Sequence, residues 1–393
     1  MQVHTILQQL LSSSIHKTRL KGLTPVITAV IKSKKLQLSQ LGRSLSSKSK
    51  ERSGIRLIDK LLSNSFYQNQ SIVIYQSICM RVIGNTRFPD IIIDWSSLPN
   101  SNMKTKGGEH CVLRAALATT GRGITLYEEV HPKKKENNAK VHRDFLERLH
   151  SILPKECRPC ILSDAGFKNP WFMAVSALGW NYLGRVRGLA NYNEGSGYYP
   201  ISELFFNAKN KASYLGVWLI AKTNPMSHHI VLYKGRPKGR HNMTKTKKID
   251  TSKESKKHSK AWKEPLLLVT SLQEVKNNPH LAVLKYKKRM TIEENFRDTK
   301  STKYGFSFDK NETINPERFT VWLILAALAS LVCWLSGAVA EKLKLHYDFQ
   351  ANSYKHRRVL SFFYLGCQII RKKIELPIDW ALIHHVDKYA QCV

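Results

Sequence analysis

Three acidic residues occupy positions where a folded chain could gather them at one site. Asp94 ends the apolar run IIID and Asp164 ends the run CILSD, so each is the first charge after a segment typical of a buried strand. Side chains from the ends of neighbouring strands converge at the edge of a sheet. Glu293 lies in a third segment, with helical character. Carboxylate oxygens are the ligands that Mg²⁺ prefers, so the three acids together predict a metal site.

One acidic residue alone would not support this interpretation, because a single aspartate after a strand is more often a turn or cap residue. The surroundings of Glu293 add a second signal. The segment YKKRMTIEENFRDTK, residues 286–300, places a carboxylate among basic and aromatic residues. On one continuous α-helix, five of its residues fall within an arc of about 80°. They are Tyr286, Arg289, Glu293, Arg297 and Lys300.

The same stripe has a simpler interpretation as exposed ion pairs. Arg289, Glu293 and Arg297 are spaced i,i+4, and such pairs contribute only about 0.3–0.5 kcal/mol each. Glu294 would point about 100° away from Glu293 and leave this face. The stripe alone favours neither interpretation, so the two strand-end aspartates decide between them.

An α/β layer is predicted to position these residues. Strand-like segments are DIIIDWSS (90–97), CVLRAALATT (111–120), GITLYEEVHP (123–132), CILSDAGF (160–167) and YLGRVRG (182–188). Amphipathic helices are predicted over 141–153 and 170–180. A hairpin over 214–224 and 228–236 interrupts the layer, and another strand is predicted over 266–273. Helices are then predicted over 279–300, 319–340 and about 355–372.

The N-terminal residues 1–75 carry helical spacing and no strand-like alternation. Two short predicted helices, 38–45 and 55–62, flank the basic turn SSKSKERSG and resemble a helix-turn-helix. In that arrangement the basic residues facing DNA phosphates would be Arg43, Lys48, Lys50, Arg52 and Arg56. A small helical bundle with solvated basic residues fits the same pattern.

Residues 319–340 form an uncharged run long enough to cross a bilayer. Ser, Thr and Gly interrupt the run, and it stands alone in the chain. We therefore expect a helix buried all round in a large core, and we expect no membrane partner.

The composition indicates an anionic partner. The 393 residues carry 63 Lys and Arg against 29 Asp and Glu, a formal net charge of +34, which points to nucleic acid or an anionic membrane face. Seven scattered cysteines do not suggest a disulfide framework, and the N-terminus lacks a signal-peptide pattern. These features favour a cytoplasmic protein.

The acids and the stripe combine into one pattern, D(94)…D(164)…Y(286)-x2-R(289)-x3-E(293)-x6-K(300). This pattern resembles that of the DDE transposases of bacterial insertion sequences, specifically family four, which includes the transposase of the tetracycline-resistance transposon and its relatives. The segments IIDWSS, SDAGFKNPW, LGRVRG, YKGRPKGR, KRMTIEENFRDTKS and CWLSG are similar to that family as well. The resemblance runs from about residue 20 to about residue 365.

This resemblance implies a fold and a domain organisation. The expected fold class is α/β, with a ribonuclease H-like catalytic domain interrupted by a β-strand insertion, an all-α N-terminal DNA-binding domain and a helical C-terminal part. The implied boundaries are 1–75 for the DNA-binding domain, 85–190 and 265–345 for the catalytic domain, 191–264 for the basic insertion, and 346–393 for the C-terminal region.

The resemblance also implies a reaction and its metal ions. Such an enzyme binds the inverted-repeat ends of its element as a homodimer, cleaves them, passes through a hairpin and joins the 3′ ends to target DNA. Two Mg²⁺ ions, for which Mn²⁺ could substitute, serve the nucleophile and the leaving group. Asp94 would bridge both ions, with Asp164 and Glu293 each holding one.

Further residues are implied to contact DNA. Tyr286, Arg289 and Lys300 would bind phosphates around the transposon end, and Arg297 and Arg187 would assist. Relatives carry a tryptophan where this chain has Leu266, and that tryptophan stacks on a flipped base. Trp262 could replace it. Stacking contributes about 1–3 kcal/mol per base, so the loss of the aromatic side chain would matter if nothing replaced it.

Two other functions stay open. A ribonuclease H-like nuclease would cut DNA without joining it, and a decayed copy would bind DNA without cutting. The presence of all three acids argues against the decayed copy.

Overall fold

The computed structural model describes residues 2–45, 50–99, 109–235, 246, 248–253, 255–256, 264–354 and 356–384. The chain forms two compact units. The first comprises Met1–Pro159 and Arg289–Val393, and the second comprises Cys160–Lys288.

The first unit begins with six helices. They are α1 (Gln2–Leu11), α2 (Lys17–Ser33), α3 (Leu38–Arg43), α4 (Glu51–Leu62), α5 (Ser65–Asn69) and α6 (Ser71–Ile83). Apolar residues at helical spacing form their inner faces, as in α1, where Val3, Leu7 and Leu10 are buried. The predicted helical character of this region is confirmed over the described residues.

Helices α3 and α4 cross at a pair of glycines. A Cβ on Gly54 would lie 2.3 Å from the Gly42 carbonyl oxygen, so only a residue without a side chain fits this crossing. The turn between the helices includes residues 46–49, which lie outside the described residues. The helix-turn-helix interpretation of this pair stays a prediction.

A three-stranded antiparallel sheet follows, in the order β3-β2-β1. The strands are β1 (Asp90–Ser97), β2 (His110–Ala118) and β3 (Gly123–Pro132). Every residue of β2 is buried. The sequence predicted all three strands, because each combines β-branched or apolar residues with a turn signal at its end.

Four helices complete the first unit. They are α7 (Ala139–Ile152), α10 (Met290–Lys300), α11 (Pro316–Lys342) and α12 (Phe362–Arg371). Helix α12 starts later than predicted, where Ser361 caps it by accepting a hydrogen bond from the Tyr364 backbone N–H. Helices α11 and α12 touch closely, since a Cβ on Gly366 would overlap the Cys333 backbone.

Helix α11 is buried all round, as predicted from its uncharged run. Within the described ranges it is the one helix long and apolar enough to cross a membrane, and 94% of its most apolar window is buried inside the protein. Other elements of this unit therefore supply the apolar surroundings that a bilayer would otherwise provide.

The second unit contains a seven-stranded mixed sheet in the order β4-β5-β10-β9-β8-β6-β7. Its strands are β4 (Cys160–Ser163), β5 (Asn181–Val186), β6 (Asn191–Asn193), β7 (Tyr199–Pro200), β8 (Ser213–Ile220), β9 (Met226–Tyr233) and β10 (Leu266–Thr270). Strands β4 and β5 are parallel, and α8 (Asn169–Ala177) connects them. The remaining pairs are antiparallel. The unit ends with α9 (Pro279–Lys288).

The prediction of a single helix over 279–300 is wrong, because the structure has two helices there. The helical segment is divided into α9 and α10 at Arg289, although Arg289 keeps right-handed helical angles. The Ile292 N–H donates to the Arg289 carbonyl oxygen, three residues back, so a tighter 3₁₀-type turn replaces the regular helical bond. Tyr286 therefore lies on a different helix from Glu293, and the five-residue stripe is not one continuous helical face.

Candidate active site

Asp94 lies in the middle of β1, at the point where the strand leaves the buried core. Residues 91–93 are buried, and the Asp94 side chain is 15% exposed. Its Oδ1 accepts a hydrogen bond of 2.9 Å from the Trp95 backbone N–H. The adjacent Trp95 is held by a bond of 3.0 Å from its Nε1 to His142 Nε2. The strand thus presents a carboxylate whose neighbour is fixed by helix α7.

Arg289 joins Asp94 to Glu293. Its Nη1 lies 3.3 Å from Asp94 Oδ2, and its Nη2 lies 2.5 Å from Glu293 Oε1. The arginine side chain is 14% exposed, whereas that of Glu293 is 45% exposed. One guanidinium therefore offsets the charge of two carboxylates that the sequence places on separate elements, and Glu293 stays open to solvent.

A buried ion pair holds α10 against the sheet. Arg114 on β2 donates to Glu128 on β3 with its Nε, at 2.7 Å, and to Asn295 Oδ1 on α10 with its Nη1, at 2.5 Å. Tyr75 Oη on α6 donates to Glu128 Oε1 at 3.1 Å. Burial raises the pKa of Glu128, and the Arg114 guanidinium opposes that rise. The network ties the helix of Glu293 to two strands.

Glu294 turns away from Glu293, as predicted, and joins a different set of charges. It contacts Arg122, at 3.2 Å, and Arg297. The simpler interpretation of the stripe, in which Arg297 pairs with Glu293, is not found, since Arg297 lies against Glu294 instead. Arg122 also binds Asp298, with Nε 2.5 Å from Oδ2. Burial raises the pKa of Asp298 to about 6, although Arg122 opposes this effect.

Lys300, the last residue of α10, reaches back to the end of β1. Its Nζ donates to Ser96 Oγ at 2.8 Å and to the Ser97 carbonyl oxygen. Burial lowers the pKa of Lys300 to about 8, with Arg114 and Lys133 contributing in the same direction. Helix α10 thus packs against β1 so that Lys300 contacts Ser96 and Ser97, two and three positions after Asp94 on the same strand.

Asp164 belongs to the second unit, directly after β4. Its Oδ1 accepts a hydrogen bond of 2.7 Å from the Gly166 backbone N–H, which folds the chain into a turn before α8. Both the turn role and the strand-end position expected from the sequence are present. Convergence of Asp164 with Asp94 and Glu293 stays a prediction.

Two other predicted site residues, Tyr286 and Arg187, also lie in the second unit, together with Leu266, where the resemblance leads to the expectation of a tryptophan. Tyr286 is buried on α9. Arg187, just after β5, pairs with Glu264, with Nη2 2.6 Å from Oε2. Leu266 begins β10 and lies opposite Tyr233 of β9 in the strand register.

Two predicted DNA-binding residues, Trp262 and Lys48, lie outside the described residues. Arg52 is exposed on α4. Its role in DNA binding stays a prediction.

Over the described ranges, no three His, Cys, Asp or Glu side chains lie together in a way that could hold a metal ion. The metal-binding roles of Asp94, Asp164 and Glu293 stay predictions.

Several site-forming residues were missed by the sequence reasoning. Arg114 and Arg122 organise α10, and Lys133 contacts the end of β1 through Ser97. Arg114 had a signal, because it is the lone charge inside the apolar strand CVLRAALATT. A charge within a buried strand requires a partner, and its partner Glu128 lies on the next strand.

The first unit is thus an α/β structure that displays paired carboxylates on a strand and on a helix packed across it. The family model described as the transposase DDE domain matches residues 86–332, which include Asp94, Asp164 and Glu293. The chain belongs to this family, and it is a DDE transposase, an enzyme of the insertion-sequence type.

Comparison with solved structures finds a cryo-EM structure of the piggyBac transposase synaptic complex with hairpin DNA. The two chains are 13% identical and superpose with a TM-score of 0.41, over 98% of this chain and 80% of that chain. No curated protein matches the chain.

Proposed function

We propose that this enzyme is a cut-and-paste transposase of insertion-sequence family four, similar to the transposase of the tetracycline-resistance transposon. It binds the inverted-repeat ends of its element, cleaves them by hydrolysis and transesterification, and joins the 3′ ends to target DNA. The proposed catalytic domain is ribonuclease H-like, with the β-rich insertion of the second unit inside it.

The shared contact of Asp94 and Glu293 with Arg289 is the observation that carries this proposal. The two acids lie far apart in the sequence, and yet they face the same guanidinium. A purely structural role would require no such convergence beside a solvent-exposed glutamate. The arrangement suits a site where negative ligands and a positive group handle a phosphodiester.

The donor set fits divalent cations. Asp94 and Glu293 already share one positive charge, and carboxylates are the ligands that Mg²⁺ takes most readily. Asp94, Glu293 and, by resemblance, Asp164 would hold two ions. When bound, such ions stabilise charge on the phosphate oxygens and lower the pKa of a coordinated water.

The protein's own residues would then position the DNA. Arg289 would hold a phosphate oxygen next to Asp94 while keeping its contact with Glu293, because a guanidinium offers several donors in one plane. Lys300 would bind a phosphate farther along the strand. By resemblance, Tyr286, Arg297 and Arg187 would bind the flanking backbone.

The hairpin step and the dimer are part of the same proposal. Two ends must be cut and joined together, so a homodimer in which each catalytic domain acts on one end is the simplest assembly. Stacking of a flipped base requires an aromatic side chain, and Leu266 cannot supply one. Trp262 is the proposed replacement.

Incubation with a donor DNA bearing the element's inverted repeats, Mg²⁺ and a supercoiled target plasmid tests the proposal. We expect end cleavage, hairpin ends and inserted products with the unmodified protein. Glu293→Gln should bind the ends and fail to cleave them. Glu294→Gln is the matched control, because it changes the adjacent glutamate, which points to Arg122 and Arg297, and it should retain cleavage.

The outcomes separate the competing functions. Cleavage without insertion would indicate a nuclease and contradict strand transfer. End binding without cleavage by the unmodified protein would indicate a decayed copy. Normal cleavage by Glu293→Gln would remove Glu293 from the site.

A further inference from the structure

Two lysines from separate elements converge on Ser97, the last residue of β1. Lys133 follows β3, and its Nζ lies 3.1 Å from Ser97 Oγ. Lys300 ends α10, and its Nζ contacts the Ser97 carbonyl oxygen and lies 2.8 Å from Ser96 Oγ. Two ammonium groups therefore share one serine at the end of the strand that carries Asp94.

The positive charge of this cluster is only partly balanced. Lys133 pairs with Glu136, with Nζ 2.7 Å from Oε2. For Lys300, no ion-pair partner exists within the described ranges; its ammonium donates to hydroxyl and carbonyl oxygens and lies 5.7 Å from the centre of the Phe296 ring. Removing water from an ammonium is costly, and the Asp309 charge offsets that cost only in part, because burial still lowers the pKa of Lys300 to about 8. An incoming anion would remove that cost.

The cluster is accessible to a ligand. Ser97 is exposed, and the Lys133 side chain is 36% exposed. The available donors are two ammonium groups and two serine hydroxyls, a set that matches the acceptor oxygens of a phosphate. No carboxylate other than Glu136 contacts these four residues in the parts of the chain that the structure describes.

The spacing between the acids and the two-lysine cluster matches the spacing of phosphates along the DNA strand that is cleaved. Ser97 lies three positions after Asp94 on β1, which is about 10 Å at roughly 3.3 Å per residue. Lys300 lies seven positions after Glu293 on α10, which is also about 10 Å at about 1.5 Å per residue. Along the axis of B-form DNA one strand advances about 3.4 Å per nucleotide, so about 10 Å along that axis corresponds to two or three nucleotides.

We infer that Lys133, Ser96 and Ser97 form, together with Lys300, a binding site for a DNA phosphate two or three nucleotides from the cleaved bond. The site rests on the proposed function for its ligand. It adds Lys133 and the two serines to the residues that bind the transposon end. It also distinguishes Lys133, which binds this phosphate, from its neighbour Lys134, which does not.

A single neutral phosphate in the DNA tests this inference. Duplexes carrying the inverted-repeat end are made with one methylphosphonate, placed in turn one to five nucleotides from the cleaved bond. Binding is measured without divalent metal for the unmodified protein and for Lys133→Gln. Lys134→Gln is the matched control, because Lys134 is an exposed lysine of the same turn that does not reach Ser97.

The unmodified protein should lose roughly tenfold in affinity at one methylphosphonate position, two or three nucleotides from the cleaved bond. Lys133→Gln should bind the normal DNA roughly tenfold more weakly, with a salt slope smaller by about one, and should lose less affinity than the unmodified protein when the methylphosphonate is at that position. Lys134→Gln should resemble the unmodified protein. Thermal melting of all three proteins checks that they fold equally well.

Two results would overturn the inference. One is full methylphosphonate sensitivity of Lys133→Gln at every position, and the other is identical behaviour of the Lys133 and Lys134 variants. Failure of the unmodified protein to bind the inverted-repeat DNA at all would overturn the proposed function, and this site with it. Normal end cleavage combined with either of the first two results would leave the proposed function intact and reject the site alone.

Discussion

Arg114 on β2 lies directly opposite Asp94 on β1 in the antiparallel register. The same arginine forms a buried ion pair with Glu128 and a hydrogen bond to Asn295 on α10. The buried Arg114 side chain therefore links β2, the strand paired with that of Asp94, to α10, the helix that carries Glu293. A buried charge therefore supports the arrangement of the two carboxylates.

Replacement of Arg114 by Met should strongly destabilise the protein. It leaves the Glu128 carboxylate buried without its ion partner, and such losses cost about 3–5 kcal/mol. The free energy of unfolding in denaturant measures the effect. The double variant Arg114→Met, Glu128→Leu should recover part of the loss, because it removes both buried charges. A double variant as unstable as the single one would show that the ion pair is not the source of stability.

Replacement of Arg289 by Lys should reduce cleavage while preserving most DNA binding. The guanidinium contacts Asp94 and Glu293 at once, and a single ammonium cannot reproduce this two-sided contact. We expect single-turnover cleavage to slow by about 10²–10³-fold, as for the loss of one preorganised donor. Equal rates for the two proteins at saturating DNA would contradict this role for Arg289.

DNA affinity should fall as the pH rises through the pKa of Lys300. Burial, Arg114 and Lys133 lower that pKa to about 8, whereas Asp309 opposes the change. The charged form binds phosphate, so affinity is full below about pH 8 and declines above it, with the midpoint shifted upward by the bound phosphate. In Lys300→Arg the guanidinium stays charged, and the decline should be absent. Measurements between pH 7 and 9.5 at fixed salt compare the two proteins.

Asp298 should make stability fall as the pH rises from about 4 to about 6. Burial raises its pKa to about 6 in the folded state, above the ordinary value of 3.8, so the folded protein holds the proton more tightly. Folding is favoured most below the ordinary pKa, and that contribution is lost as the pH rises through the folded pKa. The difference in free energy of unfolding between the unmodified protein and Asp298→Asn isolates this effect. A constant difference over this pH range would contradict it.

The sequence was sufficient for features that depend on local pattern. Strands β1 and β3 match their predicted bounds. Each is a run rich in apolar and β-branched residues, and residues typical of turns mark both of its ends. The uncharged run of α11 predicted burial on every side, which the structure confirms. The outward turn of Glu294 from Glu293 followed from helical geometry alone.

Long-range partners were beyond the sequence. The break at Arg289 was missed because its helical angles persist and no Gly or Pro marks the junction. The glutamate that pairs with Arg297 could not be chosen from the sequence because i,i+3 and i,i+4 partners compete, and Glu294 also contacts Arg122 from a distant hairpin turn. The role of Lys133 depends on the end of β1, which no spacing within its own segment could reveal.

Structure determination of the protein bound to an inverted-repeat DNA end with Mn²⁺ tests the central claim most directly. We predict two metal peaks in anomalous diffraction, with the carboxylates of Asp94, Asp164 and Glu293 as their ligands and a phosphate of the transposon end between them. Metal bound elsewhere, or Asp164 distant from both ions, would contradict the account.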